Sequence, residues 1–401
     1  MMQVAEAAAG LCDLIWLVDT SVPEMKQMLD LLNRFGPVVA VDGMTVEEMA
    51  EALSPERPDA MVTLLDAGMV DYARLAQALG LEFHSPAVAE ALIDKARQRQ
   101  VLAEHGLAMP PLHIVGPSEV EEDLAEREAQ VGWPAILKPR SAQGSRYTFL
   151  AADRAECSHL LEALGPGRPD MVLEGFIPDD PGRDSGPYAG YVSVESLLAG
   201  GHISHITLTG RFPLAENFRE TGFFIPADLA GDEQEALLAL ATAAIEALGV
   251  RTGCLHTEIK FSPDGPRIIE VNGRVGGGVP EMLQRAAGIH LVELSLRVAL
   301  GEDIRIEGPV ATEGIGYRFF LQPPPVSATV ASIEGINRIS DWPGVDAISV
   351  HQGPGADLDW RDGSRNHIVA VVGSAKDYEE LQAVDRLLHR EVTVTYTDVR
   401  H

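Results

Sequence analysis

The chain has 401 residues, is 46% hydrophobic and carries a formal net charge of −29. That length suits two to four subdomains, and the acidic balance argues against nucleic acid and anionic membrane as partners while allowing a locally positive cleft. No apolar run reaches the roughly eighteen residues of a membrane span, Met1 to Gly10 has no basic stretch ahead of an apolar core, so no secretory leader is expected, and Cys12, Cys157 and Cys254 form neither a disulfide framework nor a zinc pattern, which points to a reducing cytoplasm.

Read in chain order, the first ninety residues alternate strand and helix. Strands are expected over 14–19, 38–42 and 60–65, with helices over 23–35, 46–53 and 71–79, the last closed by Gly80. This order implies a small parallel α/β layer. It lacks Gly-x-Gly-x-x-Gly after its first strand, so a dinucleotide fingerprint is absent. A helix over 94–105 ends at Gly106. Then follow a strand over 135–139, a small-residue loop over 141–145, a strand over 147–151, a helix over 155–164 and a strand over 171–176. The Pro/Gly/Asp-rich loop 178–187 reads either as a mobile flap or as a surface turn. Strands over 191–198 and 202–210 make a hairpin around Ala199-Gly200-Gly201, and an alanine-rich helix covers 233–248. Beyond the next hairpin come helices over 279–288, with Pro280 in its first turn, and 289–300. From about Gly314 strands dominate, among them 367–372 and 391–396 around a helix over 378–388.

The hairpin between Cys254 and Asn272 is the most informative stretch. Two alternating runs flank the turn Ser262-Pro263-Asp264-Gly265-Pro266. A register symmetric about Asp264 sets Glu258 opposite Glu270 and His256 opposite Asn272. Cys254, His256, Glu258, Lys260, Ile268, Glu270 and Asn272 then share one face, and Leu255, Ile259, Phe261, Ile269 and Val271 the other. Directly opposed like charges destabilise a sheet, so the two carboxylates ask for a cation. Oxygen donors suit Mg²⁺ shared with substrate phosphates, and Arg274 is placed to clamp a phosphoryl group. A solvated hairpin with Glu258 offset by Lys260 is the plainer alternative.

Three further segments carry chemistry. Lys138 ends an apolar strand ahead of the loop Ser141-Ala142-Gln143-Gly144-Ser145. A point-charge ammonium beside a loop of backbone N–H donors suits nucleotide phosphates, although the order is not that of a Walker A loop; a hairpin turn with an incidental lysine is the other reading. In Val172-Leu173-Glu174-Gly175-Phe176-Ile177 a strand-end carboxylate precedes apolar residues able to hold an adenine, or simply meets solvent. Glu195, set apart from Val192 and Val194, either lines a cleft or faces water.

Taken together and in this order, Asp94-Lys95, Lys138 with its loop, Glu174 to Ile177, Val194-Glu195 and Glu258…Glu270-Val271-Asn272-Gly273-Arg274 resemble the ATP-grasp superfamily over roughly residues 10 to 310. Through His256-Thr257-Glu258 and the compact C-terminal region the chain looks most like its carboxylate–amine ligases of the L-amino-acid ligase type. The resemblance implies an α/β fold with an N-terminal Rossmann-like domain (1–92), an ATP-grasp domain (93–310) with two α+β subdomains clasping ATP, the smaller over about 110–175, and a C-terminal α/β subdomain (311–401). It implies Mg²⁺, with Mn²⁺ as a substitute, on Glu258, Glu270 and Asn272. It implies nucleotide contacts from Lys95, Lys138, Gln143, Gly144 and Ser145. Glu174 would take the adenine amine beside Phe176 and Ile177, and Asp180 the ribose. Arg274 and Lys138 would neutralise the transferring phosphoryl group, with Gly276 and Gly277 giving backbone donors ahead of a helix N-terminus.

The implied reaction joins a carboxylate to an amine, on an amino acid or small peptide, through an acyl phosphate, with release of ADP and phosphate. Glu195, Arg219, His256 and Arg318 are the remaining substrate candidates, and His256 reads either as a base or as a strand residue. Small-molecule acid and amine partners and a homodimer are expected. Two rivals stand: a bicarbonate-activating carboxylase, and an ATP-binding protein without turnover.

Overall fold

The computed structural model describes residues 2–117, 130–183 and 186–400. Asp184 and Ser185 of the expected loop 178–187, and residues 118–129 of the expected small subdomain, lie outside the described residues.

After the helix Met2–Ala8 come β1 (Trp16–Val18), the helix Pro23–Leu32, β2 (Val38–Ala40) and the helices Val46–Leu53, Met69–Leu79, Pro86–Ile93 and Lys95–Glu104. Next are β3 (Leu112–Val115), β4 (Ala135–Pro139), β5 (Phe149–Ala151), the helix Arg154–Leu164 and β6 (Met171–Gly175). β7 (Tyr191–Ala199), β8 (His202–Arg211), β9 (Gly222–Ile225), the helix Gly231–Leu248, β10 (Gly253–Lys260), β11 (Arg267–Asn272) and the helices Val279–Ala287 and Leu291–Ala299 follow. The last part holds β12 (Ile315–Leu321), β13 (Ser327–Glu334), a short helix Ile336–Ile339, β14 (Val345–Val350), β15 (Asp357–Leu358), the 3-10 turn Trp360–Asn366, β16 (Val369–Ala375), the helix Tyr378–Glu391 and β17 (Thr393–Arg400).

An antiparallel sheet in the order β11-β10-β7-β8-β9-β12-β16-β14 is the backbone of the molecule. One face packs on Leu237, Ala241, Ile245 and Leu248 of the long helix and on Leu92 and Leu102. The other face packs on Val279, Met282, Leu283 and Leu291. Helices on both sides explain why β7 and β8 read as nearly continuous buried runs rather than as clean alternations. The C-terminal strands β12, β16 and β14 extend this sheet instead of forming a separate layer, and β15-β13-β17 make a small sheet beside it. A second antiparallel sheet, β3-β6-β4-β5, packs on the helix Arg154–Leu164 through Leu137, Phe149, Cys157, Leu161 and Leu173. Among the described residues no helix is long and apolar enough to cross a membrane.

Two expectations need correction. The N-terminal layer has only two parallel strands, β1 and β2. The third, expected over 60–65, does not form, because its apolar run is divided between two cores. Met61 packs with Met49, Leu53 and Leu75, while Leu64 packs under the central sheet. An apolar run alone does not reveal that split. The hairpin keeps the expected pairs His256–Asn272 and Glu258–Glu270, but a bulge between Glu258 and Ile259 shifts the rest to Ile259–Ile268 and Lys260–Arg267. One extra residue exchanges faces: Ile268 is fully buried in the core and Ile269 turns to the cavity.

The helix Lys95–Glu104 shows why sequence pattern understates this region. Asp94 caps it, accepting from the backbone N–H groups of Ala96 (3.0 Å) and Arg97 (3.3 Å). Its buried face is Lys95, Gln98, Arg99 and Leu102, a helical spacing filled largely with polar residues. Gln98 staples it to β11: the side-chain amide donates to the carbonyls of Ala91 (3.1 Å) and Val271 (2.8 Å) and accepts from the Val271 N–H (2.9 Å).

Candidate active site

A cavity of about 830 Å³ opens between the four-stranded sheet, the β10–β11 end of the central sheet and the 3-10 turn. Nine basic side chains and six acidic ones line it, so this strongly acidic chain does hold a locally positive cleft. Every site residue singled out from the sequence lines the cavity except Glu195, Arg219 and Asn272.

Glu258 and Glu270 face each other across the β10–β11 ladder. Their side chains are 24% and 18% exposed, which leaves oxygen facing the cavity. Burial alone would raise Glu258, but the His256 hydrogen bond and charge, with Arg211 and Arg274, outweigh it and hold the carboxyl at about 2. Among the described residues no cluster of three His, Cys, Asp or Glu forms a metal cage. Two hard carboxylates without a cage fit Mg²⁺, which keeps several waters and takes its other ligands from phosphates. Asn272 stands behind them, its amide donating to the His256 carbonyl (3.4 Å).

Cations surround this pair. The Lys95 ammonium lies 3.1 Å from Glu270 and donates to the Ala142 carbonyl (2.8 Å), tying the carboxylate to the small-residue loop. Arg274 is held by Asp66 (2.8 Å) and by its neighbour's carbonyl, Val275 (3.0 Å). Asp66, just after the 60–65 segment, fixes where the guanidinium points.

Glu174 departs from expectation. Its two oxygens accept from Arg99 and from Lys138 (2.6 Å), and the side chain is 5% exposed. Burial would raise this carboxyl, but the Arg99 and Lys138 charges override it and hold it at about 2. Burial lowers the Lys138 ammonium, with Glu174 opposing the shift. Glu174 is therefore a buried counter-ion that aims Lys138 at the cavity, whose wall it also lines. Arg99 also donates to the Ile269 carbonyl, joining the two sheets. Nearby, Lys260 donates to the Ile177 carbonyl (2.7 Å), pairs with Asp179 (2.9 Å) and lies 4.1 Å from the Phe176 ring centre. Asp180 turns inward on its own loop and accepts from the Gly182 N–H (2.9 Å).

The loop Ser141 to Arg146 is latched by the C-terminal 3-10 turn. The Ser364 N–H donates to the Gly144 carbonyl (2.9 Å), the Tyr147 N–H donates to the Arg361 carbonyl (2.8 Å), and Arg146 pairs with Asp362 (3.4 Å). Gly363 sits at φ 75°, ψ −154°, a glycine region, and a Cβ there would overlap the Gly144 carbonyl and come 2.7 Å from the Arg146 nitrogen. Gly363→Ala is expected to add about 1–3 kcal/mol of strain and to raise the KM for ATP. An ATP titration giving a wild-type KM contradicts the latch.

His256 lines the cavity floor and is 5% exposed. Its Nδ1 lies 2.9 Å from both oxygens of Glu195 and its Nε2 3.3 Å from Glu258. Burial works against its charged form, but the Glu195 charge and hydrogen bond raise it to about 9. The imidazole bridges Glu195 and Glu258 from the cavity floor, and its Nε2 also lies 3.3 Å from Arg211 Nη2. Glu195, expected at the substrate, is 1% exposed behind His256 and also accepts from Ser193 (2.7 Å) and Thr209 (2.8 Å). Gly276 must be glycine, since a Cβ would come 2.5 Å from His256 Nδ1. Arg219, also expected at the substrate, is turned away from the cavity. It donates to the carbonyls of Glu216 (2.9 Å) and Pro323 (2.7 Å), bracing the loop against the C-terminal region. Arg318 lines the cavity beside Gly278, 3.8 Å from Glu281. Sequence reading missed Arg99, Arg211, Glu220, Ser364 and Arg365. The only signal was the mixture of cations and aromatics after Gly210.

No family model matches the chain. It is 27% identical over 281 residues to the uncharacterized protein y4rH of Sinorhizobium fredii, covering 68% of this chain and 55% of that one. It is 29% identical over 265 residues to carnosine synthase 1 of Gallus gallus, covering 61% of this chain and 27% of that one. The chain thus spans about half or less of these relatives. The crystal structure of L-amino acid ligase from Bacillus licheniformis superposes with a TM-score of 0.78 at 22% identity, covering 98% of this chain and 95% of that one. The chain has the ATP-grasp fold of this ligase.

Proposed function

We propose that the protein is an ADP-forming carboxylate–amine ligase. The observation that carries this is the opposed pair Glu258 and Glu270, ringed by Lys95, Lys138 and Arg274 in one cavity under a small-residue loop. That arrangement suits a nucleoside triphosphate and a divalent cation together. The relatives give the direction of the chemistry, since one is named a carnosine synthase and a structural neighbour an L-amino acid ligase.

In this reading a substrate carboxylate oxygen attacks the γ-phosphorus, the bond to the β-phosphate oxygen breaks, and ADP departs. The amine nitrogen then attacks the acyl carbon, the bond to the phosphoryl oxygen breaks, and phosphate leaves with net loss of one proton. Glu258 and Glu270, with Asn272 behind them, would hold Mg²⁺, which would supply charge neutralisation on the phosphates. Lys138, aimed by Glu174, holds the nucleotide phosphates. Arg274, oriented by Asp66, neutralises the transferring group. Lys95 couples Glu270 to the loop, so cation and lid are set together, and the latched loop keeps water from the acyl phosphate. Gly276, Gly277 and Arg318 stand where the acyl group would lie. A cytoplasmic homodimer acting on small molecules completes the proposal.

The test is ADP and phosphate release with Mg²⁺-ATP over a panel of amino acids and amines, singly and in pairs, with product masses. Turnover that needs a pair and yields the sum of their masses less water is the expected outcome. Release that depends on bicarbonate points to a carboxylase, and ATP binding without any release to a protein that does not turn over; either outcome overturns the ligase reading.

A further inference from the structure

One stretch of the cavity wall is left unused by the nucleotide, metal and acyl assignments. Between the end of β8 and the start of β9 the chain makes a loop, and Arg211, Pro213, Leu214, Phe218, Glu220 and Phe223 from this single segment line the cavity.

Arg211 is 2% exposed and stacks on the Phe223 ring at 4.4 Å. Its Nη2 donates to Ser193 (3.1 Å), while the buried Nε and Nη1 have no hydrogen-bond partner. Glu220 has the complementary deficit. Its carboxylate is held only at long range, 3.5 Å from the Tyr191 hydroxyl and 3.6 Å from Arg211 Nε. Its main chain, in contrast, is pinned firmly: the N–H donates to Ser364 Oγ (3.0 Å) and the carbonyl accepts from Gln322 (2.6 Å). A carboxylate can accept several hydrogen bonds, and buried polar groups are almost always satisfied. A cavity-lining carboxylate held by only these two long side-chain contacts has room to accept from a donor on a ligand.

The loop is also held in an uncommon shape. Asn217 (φ 60°) and Phe218 (φ 59°) both lie in the left-handed region, which an aromatic residue adopts at a cost. Such strain persists where the surroundings over-determine it, commonly at ligand sites. Here it accompanies the placement of the Phe218 ring in the cavity wall two residues before Glu220.

We propose that this loop forms the amine subsite, in which the Glu220 carboxylate receives the ammonium group of an amine substrate whose apolar body lies against Leu214 and Phe218. Ser364 and Gln322 hold the Glu220 main chain in place, and Arg211 Nε lies 3.6 Å behind its carboxylate. The charge of Glu258, felt at Glu220, sets this subsite next to the phosphoryl end of the cavity, where the nucleophile is needed. The inference rests on the ligase reading.

The experiment compares wild type, Glu220→Gln and Glu220→Asp with the acid and amine identified in the panel, and with hydroxylamine replacing the amine. Hydroxylamine is mostly uncharged at neutral pH and traps the acyl phosphate without an ammonium. Glu220→Gln is expected to raise the KM for the amine about 10- to 100-fold, the size of a lost hydrogen bond to a charged group. The effect on the hydroxylamine reaction is expected to be at least about tenfold smaller, with Glu220→Asp restoring part of the loss. Equal changes with both nucleophiles, or an unchanged KM for the amine, overturn the amine subsite and leave the ligase intact. A wild type without acid-dependent ADP release overturns the ligase reading and this inference together.

Discussion

Replacing Glu258 by glutamine is expected to slow ADP release by about a hundred- to a thousandfold, the usual range for removing one preorganised electrostatic group. The carboxyl is ionised at all working pH values, because His256 and Arg211 hold it at about 2 despite burial. An amide keeps the shape but removes the negative charge that attracts a hard cation, and it takes a carboxylate away from the His256 ring. Glu270→Gln is expected to act through two routes, losing the cation and loosening Lys95 from its 3.1 Å contact. The check is the rate of ADP release as a function of Mg²⁺ concentration. Both variants are expected to need more Mg²⁺ than wild type. A variant with a wild-type rate and Mg²⁺ dependence contradicts the assignment of the pair.

The second large effect is on stability. Glu174→Ala removes the counter-ion shared by Arg99 and Lys138, leaving two buried cations without it. Breaking a buried pair from one side costs about 3–5 kcal/mol, so the denaturation midpoint is expected to fall clearly. The same network dictates an acid response. Glu174 is lowered from 4.5 to about 2 on folding, so its contribution is complete above the unfolded value and is lost as pH falls from about 4.5 towards 2. That contribution is on the order of 3 kcal/mol. Urea melts at stepwise lower pH are expected to show wild type converging towards the Glu174→Ala variant. Parallel curves with a constant gap contradict the linkage.

What the sequence made legible was governed by short-range pattern. The hairpin, the opposed Glu258 and Glu270, and the lysine-and-loop segment all follow from alternation and turn chemistry, and the structure puts them together. The bulge after Glu258 could not be read, because Ile268 and Ile269 are chemically identical and only the register separates them. The network Lys138, Glu174 and Arg99 was hidden for another reason. Arg99 lies on a helix whose buried face is polar, which hydrophobic periodicity records as a solvent face. Arg211 and Glu220 depend on a loop braced from far along the chain by Ser364, Gln322 and the carbonyl of Pro323. Long-range closure of this kind leaves no local signature. The absence of a strand over 60–65 belongs to the same class, since its residues serve two cores and the next residue, Asp66, holds Arg274.

The most direct measurement of the central claim uses the acid substrate labelled with ¹⁸O in its carboxylate. If the carboxylate attacks the γ-phosphorus, the released phosphate carries one labelled oxygen and ADP carries none. Label in AMP, or label retained entirely in the product with unlabelled phosphate, contradicts an acyl-phosphate ligase built on Glu258, Glu270, Lys138 and Arg274.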